Sequence, residues 1–125
     1  MPYTLEWSSD RRLVKVRHSG HVTIDEIQDS LNDLEGAIDL SNRPCILVDV
    51  RATTSYPAIA DVLFVSEKNT RRPRVSERVA FIFNERTAET IEFMILAASN
   101  RGFRVAAFAG EDAAIDWLFG TSQAP

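Results

Sequence analysis

The chain has 125 residues, 45% of them hydrophobic and 26% charged, with a net charge of −4. That length suits one domain with a single hydrophobic core, and no run approaches the roughly 20 apolar residues that span a bilayer. The acidic balance excludes the phosphate-driven binding typical of basic chains, so neither nucleic acid nor membrane insertion is expected.

Residues 1–12 (MPYTLEWSSDRR) lack an apolar stretch behind a basic start, so no secretory leader is expected and the cytoplasm is the expected compartment. Tyr3, Leu5 and Trp7 alternate with Thr4 and Glu6, the period of a half-buried strand. Residues 8–11 read as a turn, and 13–19 alternate again, which predicts an antiparallel edge hairpin ended by Gly20. Thr23 and Glu26 form a capping box at a helix start. Ile24, Ile27, Leu31, Leu34 and Ile38 follow at spacings of three and four, one apolar stripe over about four turns.

Residues 45–50 (CILVDV) are apolar at both parities but for Asp49, as a strand buried on both faces requires. Cys45 has no second cysteine to pair with and reads as a small buried hydrophobe. A polar loop is expected at 51–56, and Pro57 suits the first turn of a second helix reaching about Thr70. Arg71, Arg72, Arg74 and Arg78 crowd the connection to a strand at 79–83; with Glu67 and Glu77 beside them they read as a solvated loop. Residues 84–87 lead into a third helix ending near Asn100, with Gly102 at its exit. A strand at 103–108 and a helix at 111–119, closed by Gly120, complete the chain before a frayed tail. The order ββαβαβαβα predicts one α/β domain over 1–125, with an ordered core of about 3–119 and a mainly parallel five-stranded sheet carrying an antiparallel N-terminal edge strand.

Three short stretches carry a resemblance to a known family: His18-Ser-Gly20 at the hairpin end, Leu47-Val-Asp-Val-Arg51, and Glu111-Asp-Ala-Ala-Ile-Asp-Trp-Leu118. Together with the element order, they resemble the SpoIIAA-like, STAS-related small bacterial proteins, over about residues 3–119. That resemblance implies a fold shared with the lipid-binding CRAL-TRIO domains. It also implies a regulatory or protein-interaction module, or alternatively a carrier or sensor of a small apolar or lipid-like ligand. Antagonists of this kind carry a phosphorylatable serine in an Asp-Ser-Ser-Gly-like helix start. Here the equivalent stretch, 53–58 (TTSYPA), has neither the Asp-Ser pair nor the glycine, although Thr53, Thr54 and Ser55 offer hydroxyls.

Few residue patterns suggest chemistry. His18 and His21 are the only bases of suitable pKa, and a His21, Ser55, Asp49 site is geometrically conceivable. With no nucleophile elbow to support it, the two histidines read as polar turn residues, and a hydrolase-like enzyme ranks third among the functions. No ligand spacing for a metal and no Gly-rich phosphate loop is present, so no cofactor is expected. An aspartyl phosphoacceptor at Asp49 would need an acidic pair where Ser19, Gly20 and His21 stand; Asp49 is instead expected to bond to loop backbone amides. Ligand or regulatory contacts are expected where loops meet helix N-termini, at Asp49, Thr54, Ser55, Tyr56, Asn84 and Arg86. The sequence also holds surplus apolar residues. In the third helix Phe93, Leu96 and Ala97 lie outside the stripe of Ile91, Met94, Ile95 and Ala98, and in the second Ala60 and Phe64 do likewise. These residues either cover one another, line a pocket, or form a subunit interface; a non-enzymatic module working as a homodimer is the expected reading.

Overall fold

The computed structural model describes residues 3–37, 44–58, 61, 78–100 and 102–120. Its elements are β1 (Tyr3–Trp7), β2 (Leu13–His21), α1 (Ile24–Ala37), β3 (Cys45–Ser55), β4 (Val79–Ile82), α2 (Ala88–Asn100), β5 (Val105–Phe108) and α3 (Glu111–Leu118). The strands form one sheet in chain order, β1-β2-β3-β4-β5. β1 pairs antiparallel with β2, and every later pair is parallel, as the sequence predicts. Most of the expected second helix, with Phe64, lies outside the described residues, as do Ile38, the arginines at 71–74 and the tail from 121.

Strand alternation sorts the core into two layers. On one face Leu13, Cys45, Leu47, Ala80 and Ile82 pack under Ala114, Trp117 and Leu118 of α3. On the other, Val14, Val16 and Ile46 pack with Leu34 of α1, with Leu5, Trp7, Val48 and Val79 alongside. α2 packs against β5, at the far end of the sheet. Arg78 is not a solvated loop residue: its guanidinium donates to the Trp117 carbonyl and lies over the Trp117 ring, tying the entry to β4 to the carboxyl end of α3, where free carbonyls accept cations.

Two strands run further than expected. β3 continues to Ser55 where a loop is predicted from Arg51, and β2 continues past Gly20 to His21. The extensions pair with each other, Ser19 with Ala52, Gly20 with Thr53 and His21 with Ser55, across two register irregularities. Gly20, at φ 68°, supplies the left-handed conformation that a bulge of this kind needs. A glycine read as a strand terminator is therefore the hinge of a longer two-stranded arm.

α1 also departs from its stripe. Its buried residues are Glu26, Ser30 and Leu34, a row at spacing four of which two are polar, whereas Ile24, Ile27 and Leu31 are half-buried. Thr23 caps the helix as expected, its hydroxyl accepting from the Glu26 amide at 3.1 Å. The Glu26 carboxylate, however, turns inward to His18 instead of completing the capping box.

Candidate functional site

Charged side chains from β1, β2, β3 and the start of α3 meet around Asp49. Asp49 is buried and accepts three hydrogen bonds from Arg51: the amide at 3.0 Å, Nε at 3.0 Å and a terminal nitrogen at 2.8 Å. The expected backbone-amide partner is present, but the fork of the guanidinium dominates. Burial alone would raise the Asp49 carboxyl; the Arg51 bonds, reinforced by Arg17, bring it below the ordinary carboxylate range. Arg17 lies 3.6 Å from Glu111, 3.8 Å from Glu6 and 4.0 Å from Asp49, and Lys15 lies 3.0 Å from Glu111. Lys15, Arg17 and Arg51 thus balance Glu6, Asp49 and Glu111. An open pocket of about 370 Å³ lies beside this network, with Tyr3, Ser19, Arg17, His18, Asp49 and Arg51 in its wall.

Beyond Asp49, β3 outruns β4, whose last paired residue is Ile82, so the carbonyls of the extension lose their strand partner. Side chains of the next turn replace it. The Asn84 amide donates to the Arg51 carbonyl at 3.0 Å, with Thr53 and Val50 carbonyls more distant at 3.4 and 3.5 Å. Arg86 donates to the Thr53 carbonyl at 3.2 Å. Asn84 and Thr87 also cap the start of α2 reciprocally, each side chain accepting from the other's amide at 2.9 and 3.1 Å. Asn84 and Arg86, selected from the sequence as ligand contacts, thus spend donors on the protein's own backbone. Ser55 meets the His21 imidazole through its hydroxyl, while Asp49 is bonded to Arg51 instead of orienting that histidine. Thr54 is exposed and Tyr56 half-buried; burial, with the Glu26 charge nearby, pushes the Tyr56 phenol up to about 12.

Sequence reasoning missed one polar cluster. His18 is a strand residue, not a turn residue. It is 4% exposed and paired through Nδ1 with Glu26 Oε2 at 2.6 Å, itself 6% exposed. The Tyr3 ring packs against His18 at 5.9 Å between centroids, and its hydroxyl donates to Asp33. That bond and burial together push the Tyr3 phenol up to about 12. α1 is therefore joined to β1 and β2 by two polar links. The available signal was the parity of β2, since His18 shares the parity of Val14 and Val16 and so faces the core.

Among the described residues, no group of three or more His, Cys, Asp or Glu is placed to hold a metal ion, and no helix is long and apolar enough to cross a membrane. No family model matches the chain. No curated protein matches it. Among solved structures, an uncharacterised DUF3478-family protein with a SpoIIAA-like fold from Shewanella loihica PV-4 is similar over 93% of this chain and 91% of its own, at TM-score 0.59 and 22% identity. The fold is SpoIIAA-like. The expected architecture is borne out, including the antiparallel edge strand and the parallel remainder. A STAS-domain antisigma-factor antagonist from Rhodobacter sphaeroides also matches, over 86% of this chain and 84% of its own, at 14% identity and TM-score 0.33, a likeness too slight to carry an inference. The SpoIIAA-like fold accounts for where the polar arm stands, at the carboxyl ends of parallel strands; its chemistry is this chain's own.

Proposed function

We propose that this chain is a non-enzymatic, cytoplasmic regulatory module that works through protein contact and associates with itself through α2. The observation that supports this reading is the exposure of Phe93 at 43% and Leu96 at 60%. Three residues apart on a helix, they are neighbours on one face. Ala97 beside them is half-buried and contributes less. The polar side chains at the strand ends are engaged with one another and with backbone, so they read as supports for the arm, while among the described residues α2 carries the most exposed large apolar side chains.

Covering a fully exposed Leu or Phe contributes about 1.5–3 kcal/mol; at roughly half exposure, four such side chains in a symmetric dimer contribute about 3–6 kcal/mol. That does not offset the cost of association by itself, so a stable dimer needs further contact beside α2. Sedimentation at tens of micromolar, with native mass spectrometry, tests the reading. The wild type should be a dimer and Leu96→Glu a folded monomer. A monomeric wild type retaining an apolar molecule would move the reading to a ligand carrier.

A further inference from the structure

We infer that a second copy of this chain adds to the outer edge of β5, the terminal strand among the described residues, antiparallel about a two-fold axis, so that two five-stranded sheets continue as one and the two α2 helices come side by side. This rests on the reading of α2 as a self-association surface and specifies the contact that α2 alone does not supply.

The hydrogen-bonding direction of β5 follows from its neighbour. The Val79 amide donates to the Arg104 carbonyl at 3.0 Å and the Phe83 amide to the Phe108 carbonyl at 3.2 Å. Backbone groups alternate sides along a strand, so Arg104, Ala106 and Phe108 face β4, and Val105 and Ala107 present their N–H and C=O groups to the open edge. Among the described strands β5 is terminal, and its pairing with β4 shows no bulge. Its sequence, Val-Ala-Ala-Phe, holds no charge and no proline, the devices that normally blunt a strand edge. The opposite edge strand, β1, carries the exposed Glu6.

Parity then fixes the possible registers: an outward residue must meet an outward residue. Placing Val105 opposite the partner's Ala107 gives the greatest overlap, with about four hydrogen bonds and Ala106 beside its own copy on the axis. The pairs are apolar and small, and Arg104 falls opposite the partner's Phe108 instead of a like charge. Because α2 packs against β5 and against no other described strand to a similar extent, the same operation draws the exposed Phe93 and Leu96 toward their copies. A symmetric pairing closes as a dimer, whereas β5 on β1 of the next copy would propagate without closing.

Ala107→Pro tests this. It deletes an outward N–H and leaves the bonds to β4 intact, a change edge strands tolerate. The expected result is a monomer with the wild-type circular dichroism spectrum, the dimer Kd rising by more than about 100-fold. Ala107→Lys, which blunts the edge without touching backbone geometry, should do the same and decides the matter if the proline variant fails to fold. Ala106→Cys should form a covalent dimer on mild oxidation, because paired Cα atoms on the axis stand about 4.5 Å apart, while the buried Cys45 of the wild type should not. If folded Ala107→Pro and Ala107→Lys remain dimeric while Leu96→Glu is monomeric, the edge pairing is wrong and the α2 reading stands. A monomeric wild type overturns both.

Discussion

Removing one member of the His18–Glu26 pair should destabilise this protein far more than removing both. The two side chains meet at 2.6 Å, 4% and 6% exposed, between β2 and α1. Glu26→Leu strands an imidazole nitrogen in a site closed to water, and His18→Leu strands a carboxylate. Breaking a buried pair from one side costs about 3–5 kcal/mol, whereas replacing both partners with apolar groups of similar volume is close to neutral. The double variant should therefore lie within about 1–2 kcal/mol of wild type, so the two single effects together should exceed the double by at least about 4 kcal/mol. Against a total stability of about 5–15 kcal/mol, each single change is a large fraction and should lower Tm by about 10–20 °C. Urea unfolding at pH 7, followed by circular dichroism and by the fluorescence of Trp7 and Trp117, measures all four species. Single effects below about 1 kcal/mol, or effects that simply add, would mean that water reaches the pair and that α1 is held without it.

Asp49 gives a pH-dependent counterpart. Its carboxyl is depressed in the folded state by Arg51, so its contribution is complete above the unfolded value of about 3.9 and disappears as pH falls through the lower folded value. Asp49→Asn should cost about 1–2 kcal/mol at pH 7, a figure reduced because Arg51 is 43% exposed, and should flatten the loss of stability below about pH 4; a variant as acid-sensitive as wild type would refute the assignment. Trp117→Ala should cost about 3–5 kcal/mol, because the ring is 7% exposed and packs on Phe108; an unchanged urea midpoint would contradict the packing of α3.

The sheet and its neighbours were legible because each strand from β2 onward carries its own burial signature. Residues 45–50 and 79–82 are apolar at both parities, and both are internal strands. Strand ends were not legible. The chemistry that lets β3 continue past β4 is not in residues 51–55 but in Asn84 and Arg86, some thirty positions on, whose side chains satisfy its carbonyls. Glu26 stands at the start of α1 as expected but not with the expected contacts, since a capping box and a buried hydrogen bond to His18 compete for the same carboxylate and only the tertiary position of His18 decides between them. Asp49 was singled out rightly as unusual, yet its partner two residues away on the same strand face was passed over because 51–56 read as loop. The exposed Phe93 and Leu96 were visible as excess over a single stripe, which periodicity alone can detect.

Because strand order follows chain order, the sheet can assemble in the direction of synthesis, each strand docking on one already made. α3 is the exception, since it is the last described element and the one that covers Leu13, Cys45, Leu47, Ala80 and Ile82. A chain broken off after Gly110 would still pair its strands and would leave that apolar face without the helix that covers it.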